Sequence, residues 1–178
     1  MNTDILKLKE LSLTEYKKNH YQKAIDGFSE CISLLDGTED DMEIAELKNN
    51  ICVAYIQLND AQKAFEAVIN TEQFFEKYGN VKLQAMALAN SGTVLEMLAR
   101  YEEALSHFEH SLELFKSIGE DEMRSLTLRK VADLQRKTGR NFQAIASLEA
   151  SYNQGVSPSL KDNLVHKLLV TIRRKFIK

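Results

Sequence analysis

Residues 99–115 read ARYEEALSHFEHSLELF, a run dominated by residues that favour the α-helix. Ala104 lies on one helical face with Phe108 and Ser111, which follow it at four- and seven-residue offsets. A small residue at this place predicts that another helix passes too close for a longer side chain. Leucine at Ala104 would overpack such a crossing at a cost of about 1–3 kcal/mol. The stretch therefore predicts a helix packed tightly against a second one.

The same pattern recurs with a period of 40 residues. Four segments align on one alanine, and they read YQKAIDGFSECISLL, AQKAFEAVINTEQFF, YEEALSHFEHSLELF and FQAIASLEASYNQ. The aligned residues are Ala24, Ala64, Ala104 and Ala144, each followed by an apolar residue four positions later and a small one seven positions later. Self-similarity at a fixed period indicates stacked units that bury their apolar faces against their neighbours.

A second helix precedes each aligned segment; in the third unit it is VKLQAMALANSGTVLEMLAR, with Gly92 at another close contact. Glycine, asparagine and acidic residues in the intervening turns predict helix ends and helix starts. We expect eight helices near residues 2–18, 21–35, 40–58, 61–78, 80–98, 101–118, 121–138 and 141–154. They form units of about 2–38, 39–79, 80–119 and 120–155 within a single domain.

The composition favours an all-α protein. One proline and seven glycines in 178 residues leave little room for hairpins, and 44% hydrophobic with 28% charged residues is ordinary for a globular chain. No apolar run approaches the roughly 20 residues needed to span a bilayer. The N-terminal MNTDILKLKE lacks the apolar core of a signal peptide. Two cysteines, Cys31 and Cys52, fit a reducing compartment, and we therefore expect a cytoplasmic protein.

Charge is distributed unevenly along the chain. Residues 1–122 hold 11 basic and 23 acidic residues, a net charge of −12, whereas residues 123–178 hold 12 and 3, a net charge of +9. A basic end can attract acidic partners or nucleic acid. The same asymmetry is equally consistent with a role in solubility alone, so both interpretations stay open.

The C-terminal stretch SPSLKDNLVHKLLVTIRRKFIK predicts an amphipathic helix over residues 157–177. Ser157 and Pro158 suit its start, and Leu160, Leu164 and Leu168 begin an apolar stripe that repeats every four residues. A repeat array needs its last unit covered, which favours a capping helix. The alternative is a basic helix that binds nucleic acid or an anionic membrane surface.

The segment GTVLEMLARYEEALSHFEHSLELF resembles the tetratricopeptide repeat family. The family period is usually 34 residues, and the longer period here resembles the subgroup found in kinesin light chains and in bacterial regulatory and signalling proteins. The usual tryptophan of the first helix and the usual proline of the second are absent. The resemblance implies a right-handed α-solenoid of about four helix pairs with a C-terminal capping helix. It also implies a non-enzymatic protein–protein interaction module, serving as an adaptor, scaffold or regulator.

In such an array the first helix of each pair lines a concave groove. Asn50 and Asn90 lie one period apart on that side, and a side-chain amide can both donate to and accept from a peptide backbone. The resemblance implies that they hold an extended peptide; the other interpretation is two tolerated polar residues. Asn49 and Lys9 are expected on the same side. The predicted peptide-binding residues are Asn50, Asn90, Lys130, Arg129, Val53, Ile56, Gln57, Thr93, Met97, Asp133, Arg136 and Lys137.

Arg129, Lys130, Arg136 and Lys137 predict a cationic end of the groove, suited to a protein or peptide partner with acidic residues. Self-association through the exposed ends of the array is left open.

Signals for catalysis are weak. His107 and His110 stand three residues apart, a spacing compatible with a shared metal, but no third ligand joins them. There is no phosphate-binding glycine loop and no nucleophile beside a base. We therefore expect no enzymatic activity, no metal, no cofactor and no small-molecule substrate.

Overall fold

The structure, a computed structural model, describes residues 3–35, 37 and 40–152. In this part of the chain every regular element is a helix. The helices are α1 (Thr3–Lys17), α2 (Tyr21–Leu35), α3 (Asp41–Gln57), α4 (Ala61–Val68), α5 (Thr71–Lys77), α6 (Val81–Met97), α7 (Tyr101–Ser117), α8 (Asp121–Lys137) and α9 (Asn141–Tyr152).

Successive helices pack as antiparallel pairs, α1 with α2, α3 with α4 and α5, α6 with α7, and α8 with α9. The second helix of each pair also packs against the first helix of the next pair, which joins the four pairs into one array. The predicted all-α solenoid of four helix pairs is therefore confirmed. The capping helix predicted over 157–177 lies outside the described residues.

The recurring alanine fills the closest contact of each pair. Ala24, Ala64 and Ala104 are completely buried and Ala144 is 9% exposed. In the third pair, a Cβ atom added to Gly92 would lie only 2.8 Å from the ring of Phe108. The predicted close crossings are thus present, and they set how near the two helices of a pair can approach.

In the first and third pairs, the small residue seven positions after the alanine forms a hydrogen bond to the other helix. The Ser111 hydroxyl donates to the carbonyl oxygen of Ala85 at 2.8 Å, and the Cys31 thiol donates to that of Ile5 at 3.8 Å. Both carbonyls lie in the first helix of the same pair. A small polar side chain at this place therefore serves packing and hydrogen bonding together.

The turn inside each pair has the same backbone form four times. Asn19, Asn59, Ala99 and Gly139 stand 40 residues apart, and all have positive φ, between 58° and 77°. In the third turn the Ala99 amide donates to the Glu96 carbonyl and the Arg100 amide to the Leu95 carbonyl. These bonds satisfy carbonyl groups at the helix end, as a left-handed C-terminal cap does.

The second unit departs from the prediction of one helix over residues 61–78. Its second helix is split into α4 and α5, with Asn70 between them at φ 62°. The cause is the run Val68–Thr71, three β-branched residues and an asparagine, all of which lose helical propensity through restricted χ1 rotation or competing local hydrogen bonds. Asparagine tolerates the left-handed conformation better than most residues, so it is suited to the break.

Both cysteines are buried, and neither is in a disulfide. Burial raises the pKa of the Cys52 thiol to about 12, so this side chain behaves as a small apolar residue of the core. A search of the described helices finds none long and apolar enough to cross a membrane.

Candidate functional site

Polar contacts join the first helices of successive pairs, α1, α3, α6 and α8, along one side of the array. Lys9 Nζ lies 2.8 Å from Glu43 Oε1 and 2.9 Å from Glu46 Oε1, which links α1 to α3. Asn90 Nδ2 donates to Asn49 Oδ1 at 3.1 Å and links α6 to α3.

An ion pair between Lys137 and Glu96 links α8 to α6. The side of these four helices that carries the contacts is called the inner face below.

The contact of Lys9 with Glu43 and Glu46 is an ion pair between a lysine and two glutamates. Partial burial alone would lower the pKa of Lys9, but the hydrogen bonds and charges of Glu43 and Glu46 together raise it above its ordinary value. The ammonium group therefore stays protonated and the contact between the first two units persists at neutral pH.

The two predicted asparagines do not have the same surroundings. Asn90 is half-buried and held by Asn49, whose side chain is only 4% exposed. Asn50 is half-buried and has no hydrogen-bond partner among the described residues. The amide of Asn50 is thus available to a ligand, whereas that of Asn90 is oriented by its neighbour and keeps its oxygen as an acceptor. Asn49 was expected on this face, but its burial follows only from the packing of α6 beside α3.

The middle of the inner face is apolar to a limited extent. Val53, Ile56, Thr93 and Met97 are half-buried, and Gln57 is exposed. Ile56 packs on the core around Cys52 and Val94. The Thr93 hydroxyl donates to the carbonyl of Ala89 at 3.1 Å, so it contributes its methyl group to the surface.

The cationic end is smaller than the sequence suggests. Lys130 and Arg136 are exposed, and the described part of the chain offers neither an ion-pair partner. Asp133 lies exposed in the same helix. Lys137 is paired with Glu96, and this hydrogen bond raises the pKa of Lys137.

Arg129 faces a different direction from its neighbours in α8. Its guanidinium carbon lies 5.3 Å from the ring centroid of Tyr152 in α9. Its Nε is buried without a hydrogen-bond partner within residues 3–35, 37 and 40–152. Tyr152 belongs to the second helix of the same pair, so Arg129 contacts its own unit, whereas Lys9 and Asn49 at the equivalent positions contact the following unit.

His107 and His110 do not form a metal centre in the described part of the chain, where no group of three suitable ligands occurs. His107 is half-buried in α7, and burial lowers its pKa despite the opposing charges of Glu72 and Glu103. A neutral imidazole is therefore favoured in the folded state.

The fold and the inner face define a helical-repeat protein whose units share one continuous surface. The family model described as tetratricopeptide repeat matches residues 43–117 and 83–155. These matches cover more than half of the chain, and the chain belongs to the tetratricopeptide repeat family. Proteins of this family are generally interaction modules without enzymatic activity.

Known proteins resemble the chain at low sequence identity. The 43 kDa receptor-associated protein of the synapse from Tetronarce californica is 24% identical over 136 residues, which are 75% of this chain and 33% of that protein. Nearly identical TPR-like repeats of a Podosopora anserina kinesin light chain superpose with a TM-score of 0.71, at 13% identity, covering 98% of this chain and 77% of that chain.

A Rap protein complexed with Competence and Sporulation Factor superposes with a TM-score of 0.73 at 16% identity, covering 95% of this chain and 49% of that chain. The chain therefore spans one third of the synapse protein and about half of the Rap protein. The longer-period resemblance to kinesin light chains and bacterial regulators is confirmed at the level of the fold.

Proposed function

We propose that the inner face binds an extended peptide segment of a partner protein, and that the chain acts as an adaptor, scaffold or regulator through this contact. The main support is the set of hydrogen bonds and ion pairs that connect α1, α3, α6 and α8. These contacts fix the relative positions of the four helices. They leave the side chains of Asn50, Lys130 and Arg136 without partners among the described residues. A preorganised surface loses little conformational freedom on binding, and this favours affinity.

The polar groups of this face favour an acidic partner. Asn50 can pair with one peptide unit of the ligand through both its donor and its acceptor. Lys130 and Arg136 can then form charge-assisted hydrogen bonds with a carboxylate of the ligand near α8. Asp133 lies between them in the sequence and disfavours a second carboxylate close to the first.

The comparison with the Rap protein gives this proposal additional support. That protein was solved in a complex with Competence and Sporulation Factor, and its fold matches nearly the whole of the present chain. The alternative is a nucleic-acid or anionic-surface site at the basic C-terminal end. Six of the 12 basic residues of that end are in residues 153–178, which lie outside the described residues.

The test uses the full chain as an affinity bait, followed by mapping of the bound segment of the recovered partner. A fluorescent peptide of that segment is then titrated with wild-type protein and with Asn50→Ala and Lys130→Ala/Arg136→Ala. Loss of a hydrogen bond to a charged group costs about 1.5–3 kcal/mol. We therefore expect the double substitution to weaken binding by roughly tenfold or more, and Asn50→Ala to weaken it less.

Lys116→Ala and Gln143→Ala are matched controls, because they remove an exposed lysine and an exposed amide from α7 and α9. Both should leave the dissociation constant unchanged. A dissociation constant that is equally insensitive to Asn50→Ala and to the double substitution would exclude the inner face as the binding site.

A further inference from the structure

A cleft of about 540 Å³ lies on the opposite side of the first helices, between α2 and α5 and above α3. Its lining combines the apolar side chains of Ile32, Ile44, Ile69 and Phe74 with the polar side chains of Ser33 and Thr71, and its rim carries Asp41 and Lys48. It is called the outer cleft below. None of these residues belongs to the inner face.

The outer cleft lies where the second unit departs from its own repeat. Lys48 is exposed, although the equivalent residues of the third and fourth units, Leu88 and Leu128, are buried core leucines. Ile69 is 53% exposed, although the equivalent residues of those units are Glu109 and Glu149. A cation thus replaces a core residue and an apolar side chain replaces an acidic one. The lysine lowers stability and the exposed isoleucine lowers solubility. Residues that carry such costs are expected at functional positions.

These departures explain why the cleft is open. A leucine at position 48 would bury its side chain between α2 and α5, whereas the charged end of a lysine remains at the surface. The break at Asn70 ends α4 and starts α5 beside the cleft, and Ile69 and Thr71 on either side of the break line it.

The charges on the rim are not balanced. Asp41 Oδ2 lies 3.7 Å from Lys77 Nζ, so that carboxylate already has a cation nearby. Lys48 has no hydrogen bond or ion pair with any residue that the structure describes. Among the described residues, the outer cleft therefore combines four large apolar side chains with one lysine that has no ion-pair partner.

We propose that the outer cleft is a second binding site, which takes a short amphipathic segment of a partner protein with a large apolar side chain near an acidic residue. The apolar side chain enters between Ile44 and Phe74, and the carboxylate pairs with Lys48. A peptide is favoured over a small molecule because Ile69 and Phe74 are 53% and 37% exposed, so the apolar surface continues outside the cleft. Helical segments commonly bind grooves of this kind through a few apolar anchors.

The experiment pans a phage-displayed library of helical peptides against the full chain. Wild-type protein should enrich peptides that pair leucine, isoleucine or phenylalanine with a nearby glutamate or aspartate. Selected peptides, made synthetically, should bind Lys48→Leu and Ile69→Glu at least about tenfold more weakly. They should retain their affinity for Lys130→Ala/Arg136→Ala, which alters only the inner face.

Lys48→Leu also controls for folding, because it restores the residue of the third and fourth units. We expect it to raise the thermal unfolding midpoint by about 2–4 °C while it weakens peptide binding. A variant that is more stable and binds less cannot owe its loss of binding to misfolding.

Three results would overturn the proposal. The first is enrichment of no peptide, or of peptides without acidic residues. The second is enriched peptides that keep full affinity for both cleft variants, or that lose it only with the inner-face variant. The third is binding of octanoate to the cleft of wild-type protein without any enriched peptide, since this would assign the cleft to small apolar acids.

Discussion

Ala99 is the residue whose backbone conformation fits its side chain least well. Its φ of 58° lies in the left-handed region, where a Cβ atom crowds the following carbonyl oxygen. The equivalent turns use Asn19, Asn59 and Gly139, residue types that enter this region at lower cost. The 40-residue repeat therefore imposes one backbone form on four turns, and the third turn contains a residue that is strained in it.

Replacing Ala99 with glycine should raise the free energy of unfolding by about 1 kcal/mol, because the strain of the left-handed conformation is removed. Urea denaturation measures the change. Gly139→Ala at the equivalent turn is the matched control and should lower the free energy of unfolding by a similar amount. A loss of stability in Ala99→Gly would show that the turn does not adopt this conformation in solution.

His107 gives the stability a predictable dependence on pH. Burial holds the pKa of His107 below its ordinary value, which is about 6.5. The unfolded state therefore binds more protons than the folded state between the two pKa values, and stability is lost as the pH falls from the unfolded value towards the folded one. Glu72 and Glu103 oppose this effect, whereas Arg100 and His110 add to it.

The prediction concerns the difference in the free energy of unfolding between wild type and His107→Gln. That difference should shift in favour of the variant as the pH is lowered through about 6.5. Urea denaturation of both proteins over a pH series provides the measurement. If the difference stays constant over the series, His107 has the same pKa in both states and its burial has no such consequence.

Contacts between the helices of a pair depend on matched residue sizes. In the third pair the small residue is Gly92 and the large one is Phe108, with 2.8 Å between an added Cβ and the ring. The same two positions hold Cys52 and Val68 in the second pair, and Ala132 and Leu148 in the fourth. In these three pairs a larger residue in the first helix goes with a smaller one in the second. The first pair holds Ser12 and Phe28 there, and Gly27 leaves room for Ser12.

Gly92→Ala should lower the free energy of unfolding by about 1–3 kcal/mol, because the methyl group overpacks the contact with Phe108. Phe108→Leu should also destabilise, since it removes buried volume. The double substitution recreates the combination of the fourth pair, so its cost should be smaller than the sum of the two single costs. Additive costs in a double-mutant cycle would mean that the two side chains do not meet.

The helix pairs can be predicted directly from the sequence because the buried residues repeat with the 40-residue period. Alanine, a larger apolar residue and a small residue recur at fixed offsets, and this pattern predicts both helices of each unit. The break between α4 and α5 was not predicted, since Ala64, Val68, Thr71 and Phe75 keep the helical spacing through it and are all buried. The low helical propensity of Val68–Thr71 breaks the helix there. The periodicity of buried residues does not reveal this propensity.

Contacts between units were harder to infer than contacts within them. The sequence places Asn50 and Asn90 at equivalent positions, but the bond from Asn90 to Asn49 depends on how far α6 is displaced along α3. The contact of Arg129 with Tyr152 lies within the fourth pair, and it likewise depends on how α9 packs against α8. A repeat period fixes which positions are equivalent, and it does not fix which side chains of neighbouring units meet.

At the scale of the whole molecule, four helix pairs place two different surfaces on opposite sides of the same array. The inner face is largely polar, and contacts between units connect its helices. The side chains of Asn50, Lys130 and Arg136 have no partners there among the described residues. The outer cleft is lined by both apolar and polar side chains and carries one cation without a partner, Lys48, within the part of the chain that the structure describes. One chain could therefore hold two segments at once without competition between them.

We expect a partner protein to bind along the inner face. The most direct measurement is photo-cross-linking in cells, with a benzophenone amino acid placed at Gln57 on the inner face or at Ser106 on the exposed side of α7. A covalent partner adduct should form from position 57 and none from position 106. An adduct from position 106 alone would show that the partner binds elsewhere.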